Sequence, residues 1–392
     1  MQAGVAEMIR ELCPWFVLGG FTLLAFYFLV GYPLLLKLVP SKGLPVHKDP
    51  NHEPTVSVLL AVHNGEAFID DKLNSLLGLD YPVAKLQILV LGDGCNDGTA
   101  AKVEKYAGRG VQYVGLQRGG KAMALNAGME QAQGEILFFT DVRQKLDRRA
   151  LRELVANFAD PTVGAVTGEL KILKRGGAAG EQEDMDLYWR YELWVRRWHS
   201  AEYSLFNTTG CLYAMRRQLC SRLRPDTLID DAELPLQAYR AGYRIVFDNQ
   251  SIAYDYPTQA GGEWRRRMRT LGGMWQIFVW HPELLWKPHR MWLHFVSHKL
   301  GRLLLPWILL GIILATALLP QCETKWFLTA NELVLVGLAV CSNMLSRVPV
   351  VGRSASWART FLMMNLAALF SLKVFFVNPQ QMWGTTKVDR QG

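Results

Sequence analysis

Long apolar runs lie at the two ends of the chain and flank a central region of mixed polarity. Residues 15–36 carry no charged side chain, and about 20 apolar residues suffice to cross a bilayer core as a helix. The run is too long for the apolar part of a cleaved leader, and Tyr32, Pro33 and Lys37 lie within or just after it. We therefore predict an uncleaved transmembrane anchor within residues 1–48; the alternative is a buried helix of a soluble domain.

Three more apolar stretches close the chain, at about residues 303–319, 327–345 and 360–377. Each carries few ionisable residues, and each is long enough for a membrane helix. The pattern predicts about three C-terminal spans and a tail within residues 303–392.

Basic residues near these stretches predict the topology. They follow the first span and cluster at the ends of the later ones, and the positive-inside rule then places the region 40–300 and the loop 346–359 in the cytosol. Both chain ends would lie outside. Lys387 and Arg390 in the tail disagree with that placement, so the last stretch is alternatively a re-entrant segment.

The segment 274–302 mixes Trp, His, Lys and Leu and is too polar to span a membrane. Trp favours the bilayer edge because one side of its ring is apolar and its N–H donates a hydrogen bond. We predict interfacial amphipathic helices here, with ordinary globular helices as the alternative.

Strands and helices alternate in the central region, residues 49–273. Continuous β-branched and apolar runs predict strands, and a predicted helix follows each of the first two strands. The predicted strands are 56–62, 86–94, 111–114 and 134–141, and the predicted helices lie near 66–78 and 98–107. This alternation is typical of an α/β domain with a parallel sheet, in which ligands bind at the carboxyl ends of the strands.

Polar clusters fall at the ends of three of these strands. A single Asp after a strand is commonly a helix cap, but three clusters at one sheet edge favour a binding site. The clusters include His63, Asn64 and Glu66 after the first strand, Asp93 and Asp97 at the second, and Asp141 at the fourth.

Composition narrows the class of partner. The formal net charge is +8, and half of the residues are hydrophobic. No nucleic-acid-binding motif accompanies the positive charge, so we expect membrane lipids and a phosphate-bearing substrate as partners. The six cysteines form no closely spaced pair, which argues against a zinc site or a disulfide framework and fits a reducing cytosol.

Several segments, in order and at ordinary spacings, resemble family 2 glycosyltransferases of the membrane-integrated type. The segments are AVHNGE (61–66), LGDGCNDGT (91–99), GGKAMALNAG (119–128), DPTVGAVTGEL (160–170), TTGCLYAMRR (208–217) and TLIDDAELPLQAYRAGYRIVFD (227–248). That type includes cellulose, chitin, hyaluronan and poly-N-acetylglucosamine synthases. The resemblance implies a Rossmann-like GT-A domain joined to transmembrane helices, and inverting transfer from a nucleotide-sugar, with a UDP-sugar as the expected donor.

The resemblance also implies roles for individual residues. The position of Asp93 holds the uridine moiety in the family, and the turn after the first strand lies beside the base. Lys121 offers positive charge near phosphate, although a solvated helix lysine is the alternative. The remaining candidates for binding the nucleotide-sugar are His63, Asn64, Glu66, Asp97, Asn126, Arg143, Arg266 and Arg269.

The family's Asp-x-Asp metal motif is altered in this chain. Asp141 matches the first position, but Arg143 stands at the third. Mg2+ or Mn2+ prefers one or two carboxylates plus phosphate oxygens, so Asp141 remains the expected metal ligand. Arg143 alternatively contacts the phosphate itself, since a guanidinium group matches phosphate geometry.

Asp230 and Asp231 match the family's acidic pair before a helix. The resemblance implies that Asp231 is the general base, whereas Asp230 is a second acid or a helix cap. About 35 residues later the family carries a Gln-x-x-Arg-Trp motif, of which this chain keeps Arg269 and replaces the Gln by Arg266 and the Trp by Thr270. Trp264 and Trp275 are candidate substitutes for the acceptor-stacking ring.

We expect an integral membrane enzyme of a bacterial inner membrane with a cytosolic catalytic domain. Its acceptor would be a glycan or a lipid-linked sugar, and its product a polysaccharide made processively. One alternative is single transfer to a lipid carrier. Another is a catalytically inert nucleotide-sugar sensor or export subunit, and an accessory subunit is a further expected partner.

Overall fold

The computed structural model describes residues 2–173, 179–256, 260–345, 348–378 and 382. Within these residues one eight-stranded sheet forms the centre of the central domain. Its strands are β1 Val56–Val62, β2 Leu86–Asp93, β3 Val111–Leu116, β4 Ile136–Asp141, β5 Lys145–Leu146, β6 Val163–Ile172, β7 Tyr213–Arg216 and β8 Arg244–Asp255.

Helices surround the sheet and extend from it at both chain ends. In chain order they are α1 Gln2–Phe26, α2 Tyr32–Leu38, α3 Ile69–Leu77, α4 Thr99–Glu104, α5 Lys121–Gln131, α6 Ala150–Ala156, α7 Ala179–Glu202, α8 Asp230–Arg240, α9 Ala260–Trp280, α10 Glu283–Trp286, α11 Trp292–His294, α12 Gly301–Leu318, α13 Glu323–Val340, α14 Ser342–Leu345 and α15 Pro349–Phe370. Two π-helical turns, Tyr27–Gly31 and Phe295–Leu300, join α1 to α2 and α11 to α12.

The four predicted strands are all present and pair in parallel. The sheet order is β3-β2-β1-β4-β7-β6-β8-β5. Beyond β4 the sheet becomes mixed, because β7 runs antiparallel to both β4 and β6 while β6 and β8 are parallel. Register aligns Ala61 with Asp141 and Val62 with Gly92, so the carboxyl ends of β1, β2 and β4 share one edge.

Apolar side chains on both faces of the sheet hold the domain together. Leu60 and Phe138 point to the face covered by α3 and α6, and Leu59 and Phe139 point to the face covered by α5 and α8. Because these strands are buried on both faces, they read in the sequence as unbroken apolar runs.

Three helical segments in the described part of the chain are long and apolar enough to cross a membrane: Glu11–Leu38, Trp292–Leu318 and Val350–Phe375. They expose large apolar side chains, as a lipid-facing surface requires; Phe16 and Leu318 are 76% and 72% exposed. By length and composition, these helices are those of an integral membrane protein.

The second and third of these spans differ from the sequence-based expectation, and the third begins at Val350, ten residues before the predicted start at about 360. The second begins at Trp292, inside the segment 274–302 that was predicted to be interfacial and eleven residues before the predicted start at 303, because α11, the π turn and α12 form one continuous helix. The predicted span 327–345 falls on α13, which is not among the three because it carries Glu323, Lys325 and Glu332. The predicted tail with Lys387 and Arg390 lies outside the described residues.

Helix α9 crosses the predicted boundary at residue 273 and joins the central domain to the membrane helices. A β-carbon at Gly273 would lie 2.6 Å from Ile229 Cγ1, and one at Gly272 would lie 3.3 Å from Ser371 O. Glycine therefore allows α9 to approach the start of α8 on one side and the end of the third span on the other.

Candidate active site

Lys121 connects two of the predicted acidic positions. It begins α5, and its Nζ donates to Asp141 Oδ1 at 2.9 Å and lies 3.0 Å from Asp230 Oδ1. Burial opposes the charged form of this lysine, but the negative charges of Asp141, Asp230 and Asp231 outweigh burial and raise the pKa of Lys121 above its ordinary value. The amine is therefore a fixed positive charge between β4 and α8.

Asp230 is the more buried member of the acidic pair, at 5% exposure. Besides Lys121, it accepts a hydrogen bond of 3.0 Å from the Tyr213 hydroxyl of β7. A carboxylate bonded on both oxygens inside the protein is suited to hold its neighbours in place.

Asp231 is partly exposed and carries the most perturbed carboxyl group of the site. Burial and the neighbouring charge of Asp230 raise the pKa of Asp231 to about 6, against the lowering effects of Lys121 and Arg269. Its main-chain oxygen accepts hydrogen bonds from the N–H and hydroxyl of Thr208, at 2.7 and 2.9 Å. These bonds hold the main chain of Asp231 in place, and a carboxyl group with a pKa near neutrality is suited to accept a proton.

Arg269 of α9 contributes positive charge to the same cluster. Burial lowers the pKa of Arg269 from its ordinary value, whereas the charges of Asp231, Asp141 and Asp230 act in the opposite direction. Arg266 also interacts with Arg269 electrostatically but is exposed, as is Arg265. Among the arginines predicted for this site, Arg269 thus has the closest association with the acidic cluster.

Asp93 ends β2 and is almost fully buried, at 4% exposure. Its carboxylate accepts hydrogen bonds from the N–H groups of Gly119 and Gly120, at 2.7 and 3.0 Å from Oδ1, and pairs with the guanidinium group of Arg118. The main-chain oxygen of Asp93 lies 2.7 Å from His63 Nδ1. Asp93 therefore joins the ends of β1 and β2 to the loop before Lys121.

The other polar residues after β1 and β2 bond mainly to one another. Asn64 Nδ2 donates to Asn96 Oδ1 at 2.7 Å, and Asp97 accepts from the N–H of Glu66 at 3.0 Å. Glu66 in turn accepts from the N–H of Gly98 at 3.0 Å. Asn64, Glu66 and Asp97 thus fasten the two turns together at the rim of the site.

Asn126 lies away from this group of side chains. It is 3% exposed in α5, and its amide exchanges two hydrogen bonds with the main chain of Leu223, at 2.8 and 2.9 Å. Asn126 therefore anchors the loop before α8.

Arg143 pairs with Asp255 at the end of β8, and Gln144 donates to the same carboxylate at 2.8 Å. Asp255 is 3% exposed. Arg143 therefore ties the loop after β4 to β8. Trp264 and Trp275, the candidate stacking rings, contact Phe370 and Phe278 respectively.

Several residues at the site were not among the predicted ones. Arg118 had a local signal, since it directly precedes the Gly119-Gly120-Lys121 segment. Thr208 and Tyr213 were indicated in the sequence only as members of a longer motif. No local sequence pattern indicated Lys299, which donates to Asn207 at 2.8 Å, because it lies on a membrane helix that is distant in the sequence.

Two family models match this chain. Glycosyl transferase family 2 matches residues 57–224, and glycosyl transferase family group 2 matches residues 144–372, more than half of the chain. The chain belongs to glycosyl transferase family group 2.

Relatives and solved structures agree with this membership. Poly-beta-1,6-N-acetyl-D-glucosamine synthase of Staphylococcus epidermidis is 24% identical over 266 residues, which cover 65% of this glycosyltransferase and 64% of that protein. The synthase of Staphylococcus aureus strain COL is 25% identical over 276 residues, covering 65% and 66%. The match thus spans just under two thirds of the length of these relatives.

A solved structure shows the fold. The mannosyltransferase PcManGT from Pyrobaculum calidifontis, in complex with GDP-Man and Mn2+, superposes with a TM-score of 0.71 at 22% identity and covers 92% of this chain and 98% of its own. The predicted GT-A fold is confirmed.

Proposed function

We propose that this chain transfers a sugar from a nucleotide-sugar, a UDP-sugar in the first instance, to an acceptor hydroxyl at the membrane, with Asp231 as the general base. The observation that carries the proposal is the environment of Asp231. A carboxyl group with a pKa of about 6 lies beside a cluster of Lys121, Arg269 and Asp141, in a member of a glycosyltransferase family.

The reaction is an in-line displacement with inversion. Asp231 takes the proton from the acceptor hydroxyl, and the acceptor oxygen forms a bond to the anomeric carbon. The bond from that carbon to the diphosphate breaks, and the nucleoside diphosphate leaves with the electron pair. Lys121 and Arg269 stabilise the negative charge that develops on the diphosphate.

The described residues include no group of three or more side chains that could hold a metal ion by themselves, so a divalent cation would be held by Asp141 together with the phosphate oxygens of the substrate. Asp141 offers a carboxylate that is 40% exposed, with Lys121 on one oxygen, and Mg2+ or Mn2+ is commonly held by one or two carboxylates together with phosphate oxygens. When bound there, the cation supplies charge compensation for the diphosphate. Arg143 is paired with Asp255, so we propose that it supports the loop that carries Asp141.

We assign the nucleoside end of the donor to the edge formed by His63 and Asp93. Asp93 orders Gly119 and Gly120 directly before Lys121, so it links the base-binding edge to the phosphate-binding residue. Asn64, Glu66 and Asp97 shape the rim, and Arg266 adds positive charge beside Arg269.

The acceptor is a glycan or a lipid-linked sugar, and the product is a polysaccharide. The names of the staphylococcal relatives support polymer synthesis. The distribution of basic residues supports a cytosolic catalytic domain, and the staphylococcal source of the relatives supports a bacterial inner (plasma) membrane.

The test is a donor screen with purified protein in lipid nanodiscs. UDP-N-acetylglucosamine, UDP-glucose and GDP-mannose are compared by nucleoside diphosphate release. Asp231→Asn should reduce release at least about a hundredfold, because it removes the proton acceptor with little change in shape, and should leave nucleotide affinity unchanged. Asp226→Asn, at an exposed position on the loop before α8, is the matched control. Near-normal turnover of Asp231→Asn would refute the assignment of the base.

A further inference from the structure

Lys72 of α3 is a buried lysine that donates to neutral oxygens. Its residue is 1% exposed, and its Nζ donates to Thr140 Oγ1 at 2.7 Å and to Gln144 O at 2.8 Å. Burial lowers the pKa of Lys72 to about 8, while Cys211 and Asp141 act in the opposite direction. The amine is therefore mainly protonated at neutral pH.

The two acceptor oxygens lie on either side of Asp141 in the sequence. Thr140 directly precedes Asp141 at the end of β4, and Gln144 directly precedes β5. One ammonium group therefore joins both ends of the turn 140–144. The Asp141 side chain lies between these ends and is 40% exposed, so the closed turn presents this carboxylate at the site.

The side chains of the same turn are held from β8. Arg143 pairs with Asp255, and Gln144 Nε2 donates to the same carboxylate at 2.8 Å. The turn is thus fixed by a cation of α3 at its two ends and by an anion of β8 at its side chains. Asp141 takes part in neither set of bonds and instead accepts from Lys121 at 2.9 Å.

The hydrogen bond from Lys72 to Thr140 continues to the residues beside the proposed base. The Thr140 hydroxyl donates to Cys211 O at 2.8 Å, and Cys211 ends the catalytic loop, which we define as residues 207–211. In this loop, Thr208 donates from its N–H and hydroxyl to the main-chain oxygen of Asp231. The ammonium group thereby connects the turn that carries the cation ligand to the loop that holds the base.

A positive charge at this buried position costs free energy of folding. An ammonium group loses its hydration when it is buried, and hydrogen bonds to neutral oxygens compensate that loss only in part. An uncharged side chain of similar volume would avoid the cost. A buried lysine beside a carboxylate of a proposed active site therefore indicates a functional role.

We propose that Lys72 is a positioning residue that holds Asp141 where its carboxylate shares a divalent cation with the donor diphosphate. Arg143 stands at the third position of the metal motif, so the cation depends on one motif carboxylate and on phosphate oxygens. A site of this kind requires that the carboxylate be held closely in place by its surroundings. The inference rests on the proposed glycosyl transfer, in which the diphosphate leaves.

The test measures Mn2+ binding to the UDP complex of the full-length protein in dodecyl maltoside micelles. Calorimetric titrations with UDP at a series of Mn2+ concentrations, and in EDTA, give this affinity by linkage. Lys72→Met removes the ammonium group at similar length. Thr140→Val removes the hydroxyl at constant shape, and Thr140→Ser keeps it. Lys48→Met is the matched control, because it removes a partly buried lysine that pairs with Glu153 and Asp248.

We expect Lys72→Met and Thr140→Val each to weaken Mn2+ binding about tenfold, as for loss of one charge-assisted hydrogen bond. Thr140→Ser and Lys48→Met should leave it within about twofold, and UDP affinity in EDTA should stay within about twofold in all variants, because their direct contacts lie outside the nucleotide-binding residues. The double variant of Lys72→Met and Thr140→Val should match Lys72→Met within about twofold, since both changes remove the same hydrogen bond.

Wild-type Mn2+ affinity in Lys72→Met would overturn the proposal. Tighter Mn2+ binding in this variant would also overturn it, because the ammonium group would then act by repelling the cation. If Lys72→Met does not fold, the comparison of Thr140→Val with Thr140→Ser decides, and equal Mn2+ affinity in these two variants would overturn the proposal.

Transfer and hydrolysis of nucleotide-sugars are measured in parallel, so that the two proposals fail separately. Mn2+ binding that depends on Lys72, in a protein that neither transfers nor hydrolyses a nucleotide-sugar, would support the positioning role and refute the transferase proposal. Transfer that requires Mn2+ equally in wild type and Lys72→Met would overturn only the role of Lys72. A wild type whose UDP affinity does not respond to Mn2+ would overturn the cation roles of both Asp141 and Lys72.

Discussion

Gly273 of α9 meets Ile229 so closely that no β-carbon fits between them; one placed on Gly273 would lie 2.6 Å from Ile229 Cγ1. Ile229 directly precedes Asp230 and Asp231, and Gln276 of α9 accepts from the N–H of Leu228 at 3.1 Å. The helix that carries Arg269 is therefore built directly against the start of the helix that carries the proposed base.

Substitution of this glycine tests the packing. Gly273→Ala should displace Ile229 and destabilise the protein by about 1–3 kcal/mol, as overpacking of a tight contact does, and should lower turnover more than nucleotide affinity. Thermal unfolding and nucleoside diphosphate release are the measurements. Gly108→Ala is the control, because a β-carbon there meets nothing within 4 Å. Wild-type stability and turnover in Gly273→Ala would show that the contact has no role in placing the acidic pair.

The pH dependence of turnover reports the state of Asp231. The carboxylate form is required of a general base, and the pKa of Asp231 is about 6, so the turnover rate should fall as the pH drops through about 6. Asp230, Asp141, Lys121, Arg269 and Lys299 are the charged groups that face it. Lys121→Met removes a charge that lowers the pKa of Asp231, so the acid limb should move to higher pH. An acid limb in the same place for both proteins would contradict this electrostatic coupling.

Arg269 and Arg265 of α9 should differ sharply in their effect on chemistry. Arg269 interacts with Asp231 and Asp141, whereas Arg265 is exposed. Arg269→Ala should reduce turnover about a hundredfold, as expected for loss of one donor to a developing charge, and Arg265→Ala should leave it within about twofold. Equal losses in the same lipid would make the basic cluster a general folding or membrane element.

Asp93 should matter for both stability and nucleotide affinity. In Asp93→Asn the amide NH2 would oppose the N–H groups of Gly119 and Gly120, which are hydrogen-bonded to the carboxylate. A loss of about 1–3 kcal/mol in unfolding free energy and weaker nucleoside diphosphate binding are expected. Arg118→Ala should have a smaller effect, because that side chain is 52% exposed. Calorimetric titration and chemical denaturation measure the two effects, and unchanged affinity in Asp93→Asn would refute the assignment.

A divalent cation should tighten nucleotide binding through Asp141. In the wild type, Mn2+ or Mg2+ should increase affinity for the nucleoside diphosphate relative to excess EDTA, and transfer should stop in EDTA. Asp141→Asn should abolish this difference, because it removes the motif carboxylate. The control is a titration of Asp141→Asn with the nucleoside diphosphate in EDTA, which should give the same affinity as its titration with the cation. Full transfer activity in EDTA would instead assign the charge compensation to Lys121 and Arg269.

The sequence by itself determined the strands β1 to β4, their parallel pairing and the two acidic positions at the ends of β2 and β4. These features follow from local patterns, since a strand buried on both faces must be apolar along its whole length and the carboxyl ends of parallel strands share one edge. The motif order also predicted the GT-A fold and the family.

Only the tertiary structure decided which of the polar side chains share a site. Asn64, Glu66 and Asp97 have the residue types of ligands, yet their hydrogen bonds lock two turns, and Asn126 anchors Leu223. Arg143 and Asp255 are 112 residues apart and pair only because β5 is added beside β8. Lys299 reaches Asn207 only because the second span passes the catalytic loop. Periodicity in the sequence reports which face of an element is apolar, but contacts between distant elements depend on how those elements pack, which no local pattern encodes.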